Sequence, residues 1–342
     1  MPVRVRLPAL TALSPVYGNL DAHTNTNRMF NIVKNPDIVV HHFGYGTRPV
    51  ITVFGRTMPE AWEKAMWATY KFGIDIKTEY DKPEDPPSKD CRATMIIAEP
   101  LAEPRIHRDF PGSLEDLAKY RFEVVEGVHD HLINPKENKW PYTYHDLLFN
   151  WLATDNVTKR EPAKLPFKPA NQIDYIVEKL SSFTYSRRAQ AVTWNPLAHP
   201  NIDDPPCLQR IWCRLFQDKK GAYVLNFDTD WRSRDAYKGA PMNMFAIIDL
   251  GRIIAERISE KLGKEVKVGA YTDTSNSFHL YGAYFDEFSR FLKGLETRKF
   301  EERTWTTDFA KPFLKEGIRQ LLKEEGMPAD KIKVLERELE KY

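Results

Sequence analysis

Apolar residues recur every three or four positions along several stretches of this chain, the spacing that stacks side chains on one face of an α-helix. Ala61, Trp62, Ala65, Met66 and Tyr70 form one such stripe. Thr57 or Met58 stands at its cap. Pro59 suits the first turn, where its missing N–H is not needed, and Glu60 meets the positive end of the helix dipole. Gly73 stops the stripe. The same reasoning predicts helices from Ser113 to about Val125 with a stop at Gly127, and over Gln172–Ser182. Another covers Met244–Leu262, where Leu250, Ile253, Ile254, Arg257 and Ile258 share a period before Gly263, and a further one covers Tyr284–Leu292. From Phe309 onward come two charged helices broken at Gly326–Pro328. In the last, Lys333–Arg337 and Glu336–Glu340 are like-charged pairs, so it is expected either to pack against the body or to fray.

Short apolar runs predict strands at Val50–Phe54, Ala93–Ala98, Ala189–Trp194, Leu208–Phe216, Ala222–Phe227 and Glu265–Thr272, with a turn at Asp218–Gly221. Residues 1–50 read as an irregular arm, and 81–90, rich in Pro, Asp and Lys, as a solvated loop. Helices and strands interleave irregularly, without repeats. This pattern predicts a mixed α/β (α+β) architecture.

Composition narrows the function classes. With 342 residues, 42% of them hydrophobic, the chain can bury a full core. No run approaches membrane-spanning length, and the first ten residues lack a long apolar stretch. Fifty Lys and Arg against 48 Asp and Glu give a net charge of +2, so an anionic partner must be held by local arginines rather than by a global field. Cys91, Cys207 and Cys213 have neither disulfide-framework nor zinc-cluster spacing, which favours a reducing, cytoplasmic setting. The histidines show no metal-ligand spacing, so no metal is expected. The many Lys, Glu and Pro residues hint at a thermophilic source.

Chemistry concentrates in a few segments. Cys207, in Pro205-Pro206-Cys207, lies downstream of Ser186-Arg187-Arg188, and neighbouring guanidiniums can lower a thiol pKa and make a nucleophile. A buried structural cysteine is the competing reading. Arg232 and Ser233, in a run dense with donors, could bind a phosphate or form a solvated turn. Asn243 could cap the helix or recognise a base edge, since an amide donates and accepts at once. His279 and Tyr281 fall on one face of an alternating segment, where they could reach a sugar hydroxyl, or could be a core histidine and a solvent-facing tyrosine.

Taken in order, S186-R-R-A-Q-A-V-T-W-N195, Pro205-Pro206-Cys207, R232-S-R-D235, G239-A-P-M-N243 and H279-L-Y281 resemble the thymidylate synthase superfamily. The closest flavour is the archaeal-type synthases and related pyrimidine nucleotide hydroxymethylases, which are also similar in Y142-T-Y144. The resemblance implies a three-layer fold with a large mixed β-sheet at a homodimer interface, and a catalytic domain over residues 56–295. Residues 1–55 would be an N-terminal extension and 296–342 a C-terminal helical one.

The resemblance also implies roles. Cys207 would attack C6 of the pyrimidine. Arg232 and Ser233 would hold the phosphate with Arg92, and with Arg187 and Arg188 reaching across from the partner subunit. Asn243 would recognise the base, His279 and Tyr281 the sugar, and Asp235 would lie near base and folate. Glu123, with Glu126 as fallback, would manage protons through water. Tyr144, or Tyr142 beside it, matches the active-site tyrosine, and Trp140 the wall of the folate pocket. The co-substrate would be 5,10-methylenetetrahydrofolate, and the implied reaction dUMP to dTMP with dihydrofolate as the other product.

Two departures leave a second outcome open. Leu208 stands where bacterial members have His, and the chain continues through charged helices instead of a short closing tail. The alternative is 5-hydroxymethylation of CMP, dCMP or dUMP with water as the final nucleophile. The same departures are the only support for a relative that binds nucleotide or RNA without turnover. Otherwise no membrane or nucleic-acid partner is expected.

Overall fold

Cys91, Ala93, Met95 and Ile97 are buried to within 1% while Arg92 between them is exposed, the period of two imposed on a strand with one covered face. They lie on β4 (Ser88–Ile97) of a nine-stranded mixed sheet. The structure, a computed structural model, describes residues 37–42, 44, 46–134, 140–151 and 168–341. The irregular arm expected over the first fifty residues lies outside the described residues as far as residue 36.

In chain order the strands are β1 (Ile38–His41), β2 (Val50–Gly55), β3 (Ile74–Ile76), β4, β5 (Ile106–His107), β6 (Gln190–Val192), β7 (Leu208–Gln217), β8 (Tyr223–Trp231), β9 (Arg234–Asp235), β10 (Val266–Leu280) and β11 (Thr304–Trp305). The helices are α1 (Met58–Phe72), α2 (Leu114–Glu126), α3 (Tyr144–Phe149), α4 (Gln172–Ser182), α5 (Gly239–Leu262), α6 (Phe285–Thr297), α7 (Thr307–Leu321) and α8 (Ala329–Lys341). The main sheet runs β1-β2-β4-β10-β8-β7-β6, with β3 added to β4 and β9 to β10; β5 and β11 form a separate pair. Parallel β2–β4 and β10–β8 pairs alternate with antiparallel ones, so the sheet is mixed as expected.

Local chemistry sets the helix ends. Ser113 Oγ accepts from the Asp116 amide at 3.0 Å, Asn171 Oδ1 from Asp174 at 2.9 Å and Thr306 Oγ1 from Phe309 at 3.2 Å, each satisfying a first-turn N–H. The expected helices are present, and α4 has the expected limits. Long-range pairing moves other boundaries. β4 starts at Ser88 rather than Ala93, because polar Ser88, Lys89 and Asp90 pair with β3 and β10. β8 continues through Asp228 to Trp231, and β10 merges two expected segments into one 15-residue strand. α5 begins at Gly239, five residues before the expected start. Asn243 therefore lies inside the helix rather than capping it.

Packing builds three layers. α1 and α5 cover one face of the sheet, α2 packs over α5, and α7 packs on α2. Gly317 of α7 permits close approach to α2: a Cβ there would stand 2.5 Å from the Glu115 carbonyl oxygen. α8 packs rather than frays. Leu335 is fully buried in a cluster with Phe122, Val128, Ile318, Leu321 and Met327. The described residues form one compact unit, with β1 and β2 part of the sheet and α7 and α8 on its helical side.

Candidate active site

Pairing of β7 with β8 brings the Cys207 loop against Arg232, 25 residues later in the chain. The Arg232 amide donates to the Cys207 carbonyl at 2.8 Å, and its guanidinium donates to the carbonyls of Pro206, at 3.1 Å, and Pro205. On the other side, Tyr144 Oη accepts from the amides of Cys207, at 3.2 Å, and Leu208, at 3.3 Å. The register of β7 slips between Leu208 and Arg210, a bulge next to the cysteine of the kind that re-aims a side chain. Cys207 is half-buried, unlike the wholly buried Cys91 and Cys213.

The expectation that arginines lower the thiol pKa is corrected in its net sign. Burial pushes Cys207 up; Arg232 and, more weakly, Arg234 pull it down, while Asp204 opposes them. The net result is a thiol above its ordinary value. Burial alone dominates Cys91, which is pushed up to about 12.

Tyr144 opens α3, whose start is held by Thr143: its hydroxyl accepts from the Asp146 amide at 3.0 Å. Together with Tyr120, Glu123, Trp140, Pro141, Tyr142, Thr143 and Asp204, Tyr144 lines a cavity of about 350 Å³. Glu123 and Tyr120 come from α2, three residues apart and hence on one helix face. Glu126 is turned elsewhere, with Arg121 Nη1 at 3.5 Å from its carboxylate. Asn243 reaches the cavity wall through Tyr120, its Nδ2 donating to the Tyr120 hydroxyl at 2.5 Å. α2 ends at Gly127 in the left-handed conformation (φ 66°), and a Cβ there would stand 2.2 Å from His145 Nδ1, so glycine is required twice over.

A second cavity, of about 270 Å³, is lined by Tyr80, Asp90, Ser233, Ser277, His279 and Tyr281 among others. The rings of His279 and Tyr281 meet edge-to-face at 4.7 Å, as the strand alternation predicts. Burial drives His279 down to about 4, which leaves it neutral near pH 7. Ser277 Oγ donates to Asp90 at 3.0 Å and lies 3.3 Å from His279 Nδ1. Asp235 precedes α5, and its carboxylate accepts from the amides of Tyr237 and Lys238, both at 2.9 Å; burial outweighs these bonds and raises its pKa.

Three predicted arginines lie apart from this group. Arg92 is exposed on the sheet face opposite the buried residues of β4, beside Val50 of β2. Arg187 and Arg188 are exposed at the β6 edge, where Cys213 donates to the carbonyl of Ala189, six residues along β7 from Cys207 or roughly 20 Å. Within one subunit they do not reach the cysteine.

Several residues around the site went unrecognised in the sequence. Tyr120 had a signal, its i,i+3 relation to Glu123. Arg234 lies inside R232-S-R-D235 but was given no role of its own: it forms a two-bond ion pair with Asp273 at 2.9 and 2.5 Å and lies over the Trp231 ring at 4.4 Å. His129 bonds Glu123, with Nδ1 to Oε2 at 2.8 Å. Tyr80 stands edge-on to Tyr281 at 6.3 Å. No group of three or more residues able to hold a metal occurs among the described residues.

Residues 139–307 match the family model "Thymidylate synthase". A protein of Methanocaldococcus jannaschii named "Putative thymidylate synthase" is 31% identical over 217 residues, spanning 62% of this chain and 82% of that one. Its namesake in Methanococcoides burtonii is 24% identical over 241 residues, or 70% and 94% of the two chains. The thermostable thymidylate synthase A of Bacillus subtilis has a similar fold, with a TM-score of 0.50 at 18% identity over 72% of this chain and 85% of its own. This chain belongs to the thymidylate synthase family and is an enzyme of the transferase type.

Proposed function

We propose that the protein methylates C5 of dUMP, using 5,10-methylenetetrahydrofolate and producing dTMP and dihydrofolate. The observation that carries this reading is the attachment of Cys207, through Tyr144, to a cavity whose wall also holds Glu123 and, through Tyr120, Asn243. C5 of a pyrimidine is a poor nucleophile. Addition of the Cys207 sulfur to C6 makes it an enolate-like carbon. Glu123 would polarise O4 through water and take part in moving the C5 proton, while Asn243 holds the ring edge. His279, neutral, and Tyr281 would bind the sugar, with Arg232 and Ser233 at the phosphate. Arg92, Arg187 and Arg188, exposed on one subunit, suit contribution across a homodimer interface. That interface would use the sheet face that carries Arg92.

The enolate-like C5 would bond to the one-carbon unit of the folate; loss of the C5 proton and departure of tetrahydrofolate would leave an exocyclic methylene, which a hydride from that tetrahydrofolate would convert to methyl, leaving dihydrofolate. The folate's pterin fits the larger cavity chemically: Trp140, Tyr142 and Tyr144 offer ring faces, and Asp235 lies near the start of α5. Departure of the Cys207 sulfur from C6 restores the aromatic ring and frees the enzyme. If water rather than hydride reaches the exocyclic methylene, the product is hydroxymethyl, so exclusion of water decides the outcome. No helix among the described residues is long and apolar enough to cross a membrane, and a cytoplasmic location fits both substrates.

The test is incubation with methylenetetrahydrofolate and each of dUMP, dCMP and CMP, followed by product mass. A methyl increment on dUMP alone is expected, and Cys207→Ala should remove it. A hydroxymethyl increment replaces the synthase with the hydroxymethylase, and no product from any nucleotide rejects both.

A further inference from the structure

His129 stands between two carboxylates from distant parts of the chain. Its Nδ1 is 2.8 Å from Glu123 Oε2 and its Nε2 is 2.9 Å from Glu324 Oε2. Glu123 comes from α2; Glu324 comes from the turn that follows α7, 195 residues from His129. The ring is buried, and Trp140 covers it edge-on at 5.3 Å.

Proton counting restricts the state of this array. A neutral imidazole carries one N–H and can donate to one carboxylate only, leaving its other nitrogen lone pair against the second. An imidazolium donates to both. Burial opposes that charge, but the bond and charge of Glu123, followed by those of Glu324, outweigh it and raise His129 above its ordinary value. Neighbouring charged groups are otherwise engaged. Asp130 is 2.6 Å from His145 Nδ1, and Lys331 of α8 donates to the Glu126 carbonyl at 2.7 Å.

We infer that Glu324 is a positioning residue: by holding His129 as the doubly donating imidazolium, it fixes the Glu123 carboxylate against the cavity wall. The inference rests on the proposed role of Glu123 and assigns the helical segment after residue 296 a part in the reaction. When His129 loses its proton, one of the two contacts must break. A neutral ring whose single N–H goes to Glu324 leaves Glu123 facing a lone pair, and that carboxylate is then no longer held against the wall.

The test is E324Q, which keeps an oxygen acceptor for Nε2–H and removes the charge. Release of tritium from C5 of labelled dUMP is followed as kcat/KM against pH, and His129 is titrated by NMR in the same protein. The expected result is an alkaline limb and a His129 midpoint both moved to lower pH, by about one unit, as loss of one adjacent opposite charge implies. A purely structural Glu324 would change Tm and leave both in place, which overturns the inference. A moved midpoint with an unmoved limb overturns it too, since the coupling then does not reach the reaction. A wild-type enzyme that releases no tritium defeats the functional reading itself, and the inference falls with it.

Discussion

Replacing Asp273 by Ala should be among the most damaging single changes in the molecule. Asp273 is 0% exposed and Arg234 only 2%. The carboxylate accepts two guanidinium bonds, at 2.9 and 2.5 Å, one from the Tyr271 hydroxyl at 2.5 Å and one from Thr229 at 3.2 Å. Truncation leaves a guanidinium buried without its counter-charge, which costs about 3–5 kcal/mol. The two hydroxyls lose less, because they stand 2.7 Å apart and one can then donate to the other. For a domain of this size, with an unfolding entropy of about 0.7 kcal/mol/K, the change corresponds to a Tm lower by roughly 4–7 °C. Calorimetry at one fixed protein concentration measures it, since any self-association would otherwise enter the value. The discriminating control is the double variant Arg234→Met with Asp273→Leu, which replaces the pair by apolar groups. It should melt closer to the parent than Asp273→Ala does, because isolating a buried charge is worse than having none. A single variant within about 1 kcal/mol of the parent would refute the reasoning, as would a double variant less stable than the single.

Two further predictions use titration. The Cys207 thiol is raised by burial, lowered by Arg232 and raised by Asp204. Arg232→Gln should therefore slow iodoacetamide alkylation at pH 7.5 severalfold and Asp204→Asn should speed it, with the buried Cys91 and Cys213 unreactive in both; the same sign for both variants would reject the electrostatic account. Burial works against the Asp249 carboxylate, yet Arg121, at 2.5 Å, and then Arg252, at 2.7 Å, outweigh it and hold it down at about 2. A carboxyl depressed on folding adds stability that is complete above its unfolded value of about 4 and is lost as pH falls through about 2. Asp249→Asn should then flatten the acid side of the stability curve between those values, read as Tm against pH.

Much of this protein follows from neighbours in sequence. The stripe from Ala61 to Tyr70, the stop at Gly127, the limits of α4 and the alternation that pairs His279 with Tyr281 depend on spacings of two to four residues, and local backbone geometry enforces those wherever the chain goes. The motif around Pro205-Pro206-Cys207 and R232-S-R-D235 was equally legible as chemistry. Tertiary structure decided the rest, because it depends on which distant segments pair. β-Ladder partners drew Ser88–Asp90 and Asp228–Trp231 into strands despite their polar residues. Asn243 is tied to Tyr120, 123 positions away, instead of to a helix end. Glu123 rather than Glu126 faces the cavity because α2 presents that side to α3 and the Cys207 loop. The thiol's net displacement also lay beyond the sequence, since burial, a property of the packed fold alone, exceeds the pull of the arginine that pairing with β8 brings beside it.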